Sequence, residues 1–126
     1  MASELRVNTL KDASGNNSVA LSTVAEGSAK AWVEAKTISS HAIQGSFNVS
    51  SLTDGGTGAF DAVTYTSAMA NDDYAVTTST GNTSNDDGFL YRYVQTTAAT
   101  GGRVRPHNGN LNDGNLNCFV VLGDIG

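Results

Sequence analysis

Cysteine, proline and tryptophan each occur once in these 126 residues, histidine twice, and lysine and arginine together only seven times. The single thiol, Cys118, cannot close an internal disulfide or build a multi-cysteine metal site. Between Leu116 and Val120 it is expected to be a small buried hydrophobe, because a reactive thiolate needs an accessible, electropositive setting. Seven basic residues spread along a chain of net charge −5 cannot form the clusters that neutralise phosphates, so nucleic acid is not an expected partner. No run approaches the eighteen or so apolar residues that cross a bilayer, so no membrane insertion is expected. Met1–Glu4 has neither the basic start nor the apolar stretch of a signal peptide, which implies synthesis in the cytoplasm. The three Asn-x-Ser matches, at Asn16, Asn48 and Asn82, would need a secretory route that such a start does not offer.

What is abundant is Ser, Thr, Asn and Gly, which make up 53 of the 126 residues. These residues lose entropy in helices or draw the backbone into other shapes, so helix is disfavoured and a single β-rich domain is expected at this length. Leu5, Val7 and Thr9 alternate with Arg6, Asn8 and Leu10, Asp12–Asn17 supplies turn residues, and Val19 and Leu21 resume the alternation, which reads as a first hairpin. From Ser28 to Ala35 a strand is expected in preference to a helix over Val24–Lys36, with Trp32 covering a core edge or a subunit boundary. Ile43, Phe47 and Val49 form a period-2 stripe leading into the turn string Asp54–Gly58, and Phe60, Val63 and Tyr65 lie on the return arm. The odd step from Phe60 to Val63 predicts a bulge at Asp61–Ala62 if all three are to share a face. Thr66–Asp73 reads as a short connection. Further strands start at Tyr74 and run through Phe89–Thr97 and Leu116–Leu122. The last has apolar residues on both faces, which fits burial between two sheets or two subunits. About seven or eight strands give an antiparallel β-sandwich, jelly-roll-like, comprising residues 25–126, with an N-terminal hairpin arm over 1–24.

Little in the sequence points to chemistry. His41 and His107 have no second ligand at a metal-binding spacing and are expected at the surface or rim. Asp72–Asp73 and Asp86–Asp87 are neighbours whose side chains point apart. Asn108–Asn115 has the composition of a calcium loop without its register. No cofactor or metal is expected, and with no nucleophile, base and orienting group in evidence the chain does not read as an enzyme. The loops Gly81–Gly88 and Asn108–Asn115 carry Asn82, Asn85, Asp86, Asp87, Asn110, Asn112 and Asp113, whose amides and carboxylates suit hydrogen bonding to a host surface glycan. Tyr91 or Tyr93 would offer a stacking face.

Two strings carry a family likeness: ASELRVNTLKDASGNNSVALSTVAEGSAKAWV, from Ala2 to Val33, and SFNVSSLTDGGTGAFDAVTYTSAMANDDY, from Ser46 to Tyr74. Spanning about half the chain, they resemble small virion structural proteins of tailed bacteriophages, tail-fibre-like proteins of phages infecting marine bacteria in particular. The chain departs from that pattern at Glu34–Gln44 and in the extra residue between Phe60 and Val63, and the region C-terminal to Tyr74 is the variable part of the family. The resemblance implies a non-enzymatic virion protein of the tail-fibre or tail-knob type, assembled as a homotrimer and placed in the virion by its N-terminal arm. The alternatives are a capsid decoration protein bound to the major capsid protein at local threefold sites, and a carbohydrate-binding module. Sheet edges with little Lys or Pro protection also favour self-association. The expected contacts with other copies or other virion proteins are Leu5, Val7 and Leu10 of the arm, with Trp32, Phe119 and Val121.

Overall fold

The computed structural model describes residues 2–81, 88–106 and 113–126, with only the backbone given for 88, 89, 91–93, 105 and 106. Among the described residues, ten strands and one short helix are arranged in the order β1 (Thr9–Lys11), β2 (Ser18–Ala20), α1 (Leu21–Gly27), β3 (Ala29–Lys36), β4 (Ala42–Phe47), β5 (Val49–Asp54), β6 (Ala59–Tyr65), β7 (Ala75–Gly81), β8 (Gly88–Gln95), β9 (Ala99–Pro106) and β10 (Leu116–Leu122). Strands β1 and β2 pair only with each other. The remaining eight form two antiparallel four-stranded sheets, ordered β4-β3-β10-β7 and β5-β6-β9-β8. The chain is therefore all-β, as its composition predicts.

The sheets face each other across one core. Val33 and Ala35 of β3 and Phe119 of β10 meet Phe60 and Val63 of β6, Leu90 of β8 and Val104 of β9, all nearly or wholly removed from solvent. Phe60 and Phe119 meet edge to face, with centroids 5.5 Å apart and planes at 89°, a geometry that contributes about 0.5–1.5 kcal/mol beyond area burial. A second cluster of Ala31, Tyr65, Met69, Tyr74 and Val121 fills the other half of the interior.

The bulge at Asp61–Ala62 is present. Thr53 faces Ala62 and Asp54 faces Phe60, so Asp61 is left over. On the other side the register jumps between Phe60 and Val63 opposite β9. Phe60, Val63 and Tyr65 are all buried as a result.

Several expectations need correcting. The stripe Ile43, Phe47, Val49 is not one strand. An extra residue, Gln44, breaks the β3–β4 register so that Ile43 lies opposite Ala35 and Phe47 opposite Trp32; Ile43 packs on the core while Phe47 is 53% exposed. Asn48 then turns the chain from one sheet to the other with φ 54°, a left-handed conformation that Asn tolerates better than most residues. Leu21 opens α1 instead of continuing the hairpin, and residues 2–7 lie in no strand, so Leu5 and Val7 fall outside the β1–β2 ladder. Phe119 and Val121 point inward at 1% exposure and so fill the core instead of meeting another copy. Cys118 faces outward, half-buried, because β10 alternates and its inward positions are Asn117, Phe119 and Val121. Strand β9, with its Gly101–Gly102 pair, is not foreshadowed by any apolar period in the sequence.

Each of the eight sandwich strands runs between the same two poles. Leu122 pairs with Ala29 and Ala75 at one pole, while at the other Leu116 pairs with Gly81 and Gly88 with Pro106. The N-terminal arm joins the first pole. The β3–β4 and β5–β6 connections, and the strand ends flanking 82–87 and 107–112, lie at the second.

Candidate functional site

The second pole is built around the Gly-rich turn of β5–β6. Asp54 caps the turn by accepting the Gly56 N–H at 2.7 Å, and the Ala59 N–H donates to the Gly56 carbonyl. Gly56 and Gly58 hold φ of 94° and 61°, which side-chain-bearing residues rarely adopt. The Gly58 N–H donates to Asp113 Oδ1 at 2.7 Å, tying the start of β10's approach to the hairpin. Behind it, the Thr37 N–H donates to the Gly114 carbonyl and the Gly114 N–H returns a bond to Thr37 Oγ1. Asn117, fully buried, donates to the carbonyls of Ala35 and Gly114 and accepts from the Thr80 hydroxyl. Buried amides need such partners, and this set satisfies both ends of Asn117.

His41 stands at the rim of this pole with its side chain drawn inward. Its side chain is 9% exposed, with Nδ1 3.1 Å from Asp54 Oδ2, Nε2 2.8 Å from the Ala59 carbonyl and the ring edge-to-face on Phe60 at 5.4 Å. Both nitrogens face acceptors, so the ring is a clamp between β4 and the β5–β6 hairpin. Between these groups lies an open recess of about 220 Å³, lined by Thr37, Ser39, Ser40 and His41 on one side and by Asp54, Thr57 and Asp113 on the other. Ser39 stands at φ 67°. Among the described residues no cluster of His, Cys, Asp and Glu could hold a metal ion.

Of the sugar-contacting candidates, Asp113 alone is described, and it serves the hairpin. Asn82, Asn85, Asp86, Asp87, Asn110 and Asn112, like His107, lie outside the described residues, as do the side chains of Tyr91 and Tyr93. The sequence does not mark His41, Ser39 and Ser40 as contact residues. Their only signal there is three consecutive polar residues before a strand, which says nothing of the hairpin they meet.

The opposite pole has a different character. No residue of 2–28 is buried. Helix α1 buries nothing, and Leu5, Leu10, Val19 and Val24 are all exposed. The hairpin is organised by Asp12, whose carboxylate accepts from the Ser14 hydroxyl, the Asn16 N–H and the Asn17 amide; these bonds, the Ser14 one foremost, hold its carboxyl below the usual range. Nearby, Asn48 spends its side chain on the Lys30 and Ser67 carbonyls and the Ser67 N–H. One of the three Asn-x-Ser matches is thereby a structural corner. On the outer face of β4-β3-β10, Phe47, Trp32 and Val120 stand side by side, Trp32 being 41% exposed.

No helix of the described residues is long and apolar enough to cross a membrane. No protein-family model, curated protein or solved structure matches the chain.

Proposed function

We propose that this chain is a non-enzymatic structural protein of a tailed-phage virion, of the tail-fibre or tail-knob type, acting as a homotrimer. The observation that carries the reading is the separation of roles between the poles. An arm with exposed leucines and valines and no core of its own leaves one end of the sandwich, while hydroxyls, carboxylates and turns gather at the other. The arm suits attachment to the particle or to a neighbouring copy, and the opposite pole then faces outward to the host. The row Phe47, Trp32 and Val120 suits contact between copies, since adjacent exposed aromatic residues are favoured where surfaces meet. At −5 per chain, a trimer carries strong like charge, which opposes further association.

Removing residues 1–28 tests this reading, because the sandwich strands begin at Ala29. The shortened chain should fold and no longer enter particles; normal incorporation contradicts the reading. A decoration protein at local threefold sites would share the acidic, single-domain build. Quantitative staining of purified particles separates the two: hundreds of copies mean decoration, and tens or fewer mean a tail part.

A further inference from the structure

Three recesses on the described surface differ in what their polar groups are already doing. In the one beside Asp72, Asp73 and Tyr74, the Gln95 amide is committed to the carbonyls of Asp72 and Tyr74. The one along the arm hairpin, between Leu10 and Val19, is lined by groups of the β1–β2 ladder and its turn. In the recess at the second pole the hydroxyls of Ser39, Ser40 and Thr57 form no hydrogen bond with the described protein. They stand around Asp54, whose carboxylate is fixed in place by the Gly56 N–H and by His41 while its side chain remains 60% exposed.

The geometry points to this recess as a binding site for a neutral saccharide. A sugar presents adjacent hydroxyls, each both donor and acceptor. The hydroxyls of Ser39, Ser40 and Thr57 can take either role, and a carboxylate oxygen accepts strongly from a hydroxyl. Asp54 is oriented before any ligand arrives, which lowers the ordering cost of binding. The volume, about 220 Å³, fits one sugar ring rather than a chain. Asp54 and Asp113 on the rim, with the net charge of −5, disfavour uronates and sulfated sugars. The imidazole of His41, its side chain only 9% exposed, offers no open stacking platform, so affinity rests on hydrogen bonds and is expected in the millimolar range.

The inference deepens the reading of this pole as the outward one, but its test uses the free chain, so it and particle incorporation can fail independently. The ¹⁵N-labelled full chain is titrated with glucose, galactose, mannose and N-acetylglucosamine up to about 100 mM, well above the millimolar constants expected, with glucuronate as the acidic comparison. At least one neutral sugar should move the amides of Ser39, Ser40, Gly56 and Thr57 along a saturating curve, and glucuronate should not. The Ser40→Ala, Thr57→Val double variant should weaken binding about tenfold or more, the loss of one to two hydrogen bonds, with an unchanged urea midpoint. Ser39→Gly, which keeps the left-handed backbone, gives the same reading if the double variant is less stable. No response to any neutral sugar, a response centred elsewhere, equal binding of glucuronate, or undiminished binding by the variants would overturn the inference.

Discussion

Arg103 of β9 reaches across the β6 bulge to Asp61, with Nη2 3.0 Å from Oδ1, while its Nη1 donates to the carbonyls of Phe60 and Gly102. The guanidinium thus ties β9 to β6 beside the bulge, where Asp61 is left over from the ladder. Asp61 is half exposed, so its own share should be small. Asp61→Ala is expected to cost about 0–1 kcal/mol, and Arg103→Ala about 1–3 kcal/mol because carbonyls also lose a donor. Urea unfolding of both variants and the double variant checks this, and equal costs for the two single changes would contradict it.

Opposite the same bulge, β9 needs two glycines for separate reasons of space. A Cβ on Gly101 would lie 2.7 Å from the Asp61 carbonyl oxygen, and one on Gly102 would lie 2.8 Å from Phe119 Cζ and 3.0 Å from Leu90 Cδ1. Gly101→Ala meets backbone that cannot retreat without moving the bulge, whereas Gly102→Ala meets side chains with some freedom. Each should lower stability by about 1–3 kcal/mol, Gly101→Ala more than Gly102→Ala. Unfolding midpoints at matched m-values test the ranking.

Asn48 combines a left-handed backbone with three side-chain hydrogen bonds. Asn48→Gly keeps the first and loses the second; Asn48→Ala loses both. Both variants should be destabilised, and Asn48→Ala by about 1 kcal/mol more than Asn48→Gly. Alanine tolerated as well as glycine would show that the corner imposes no conformational demand.

The Tyr65 hydroxyl is buried with no hydrogen-bond partner among the described residues, and burial, with Tyr74 beside it, pushes its phenol far above the ordinary value. An unsatisfied buried hydroxyl costs stability, so Tyr65→Phe should leave the protein as stable or raise it by up to about 1 kcal/mol. A clear loss in thermal or urea unfolding would mean that the hydroxyl is satisfied.

Legibility from sequence tracks the physical signal. Strand β10 is readable because strict alternation reports two faces, and the β6 bulge because an odd step between apolar residues has one geometric solution. The inward direction of Phe119 and Val121 is not, since alternation separates faces without saying which is the core. Strand β9 is hidden because Gly101 and Gly102 answer to the shape of a bulge and a phenylalanine ring, not to a hydrophobic period. Asn48 reads as an ordinary strand residue because its role depends on Lys30 and Ser67. The recess escapes for the same reason: His41, Asp54 and Asp113 become neighbours only when both sheets have closed.

Association of identical chains, with the arm and the Phe47, Trp32 and Val120 row at the contacts, is the claim on which the account turns. Light scattering of the intact chain at micromolar concentration should report a mass near three times 13.0 kDa, falling when Trp32→Ala is introduced. A single species of 13.0 kDa across that range would contradict it.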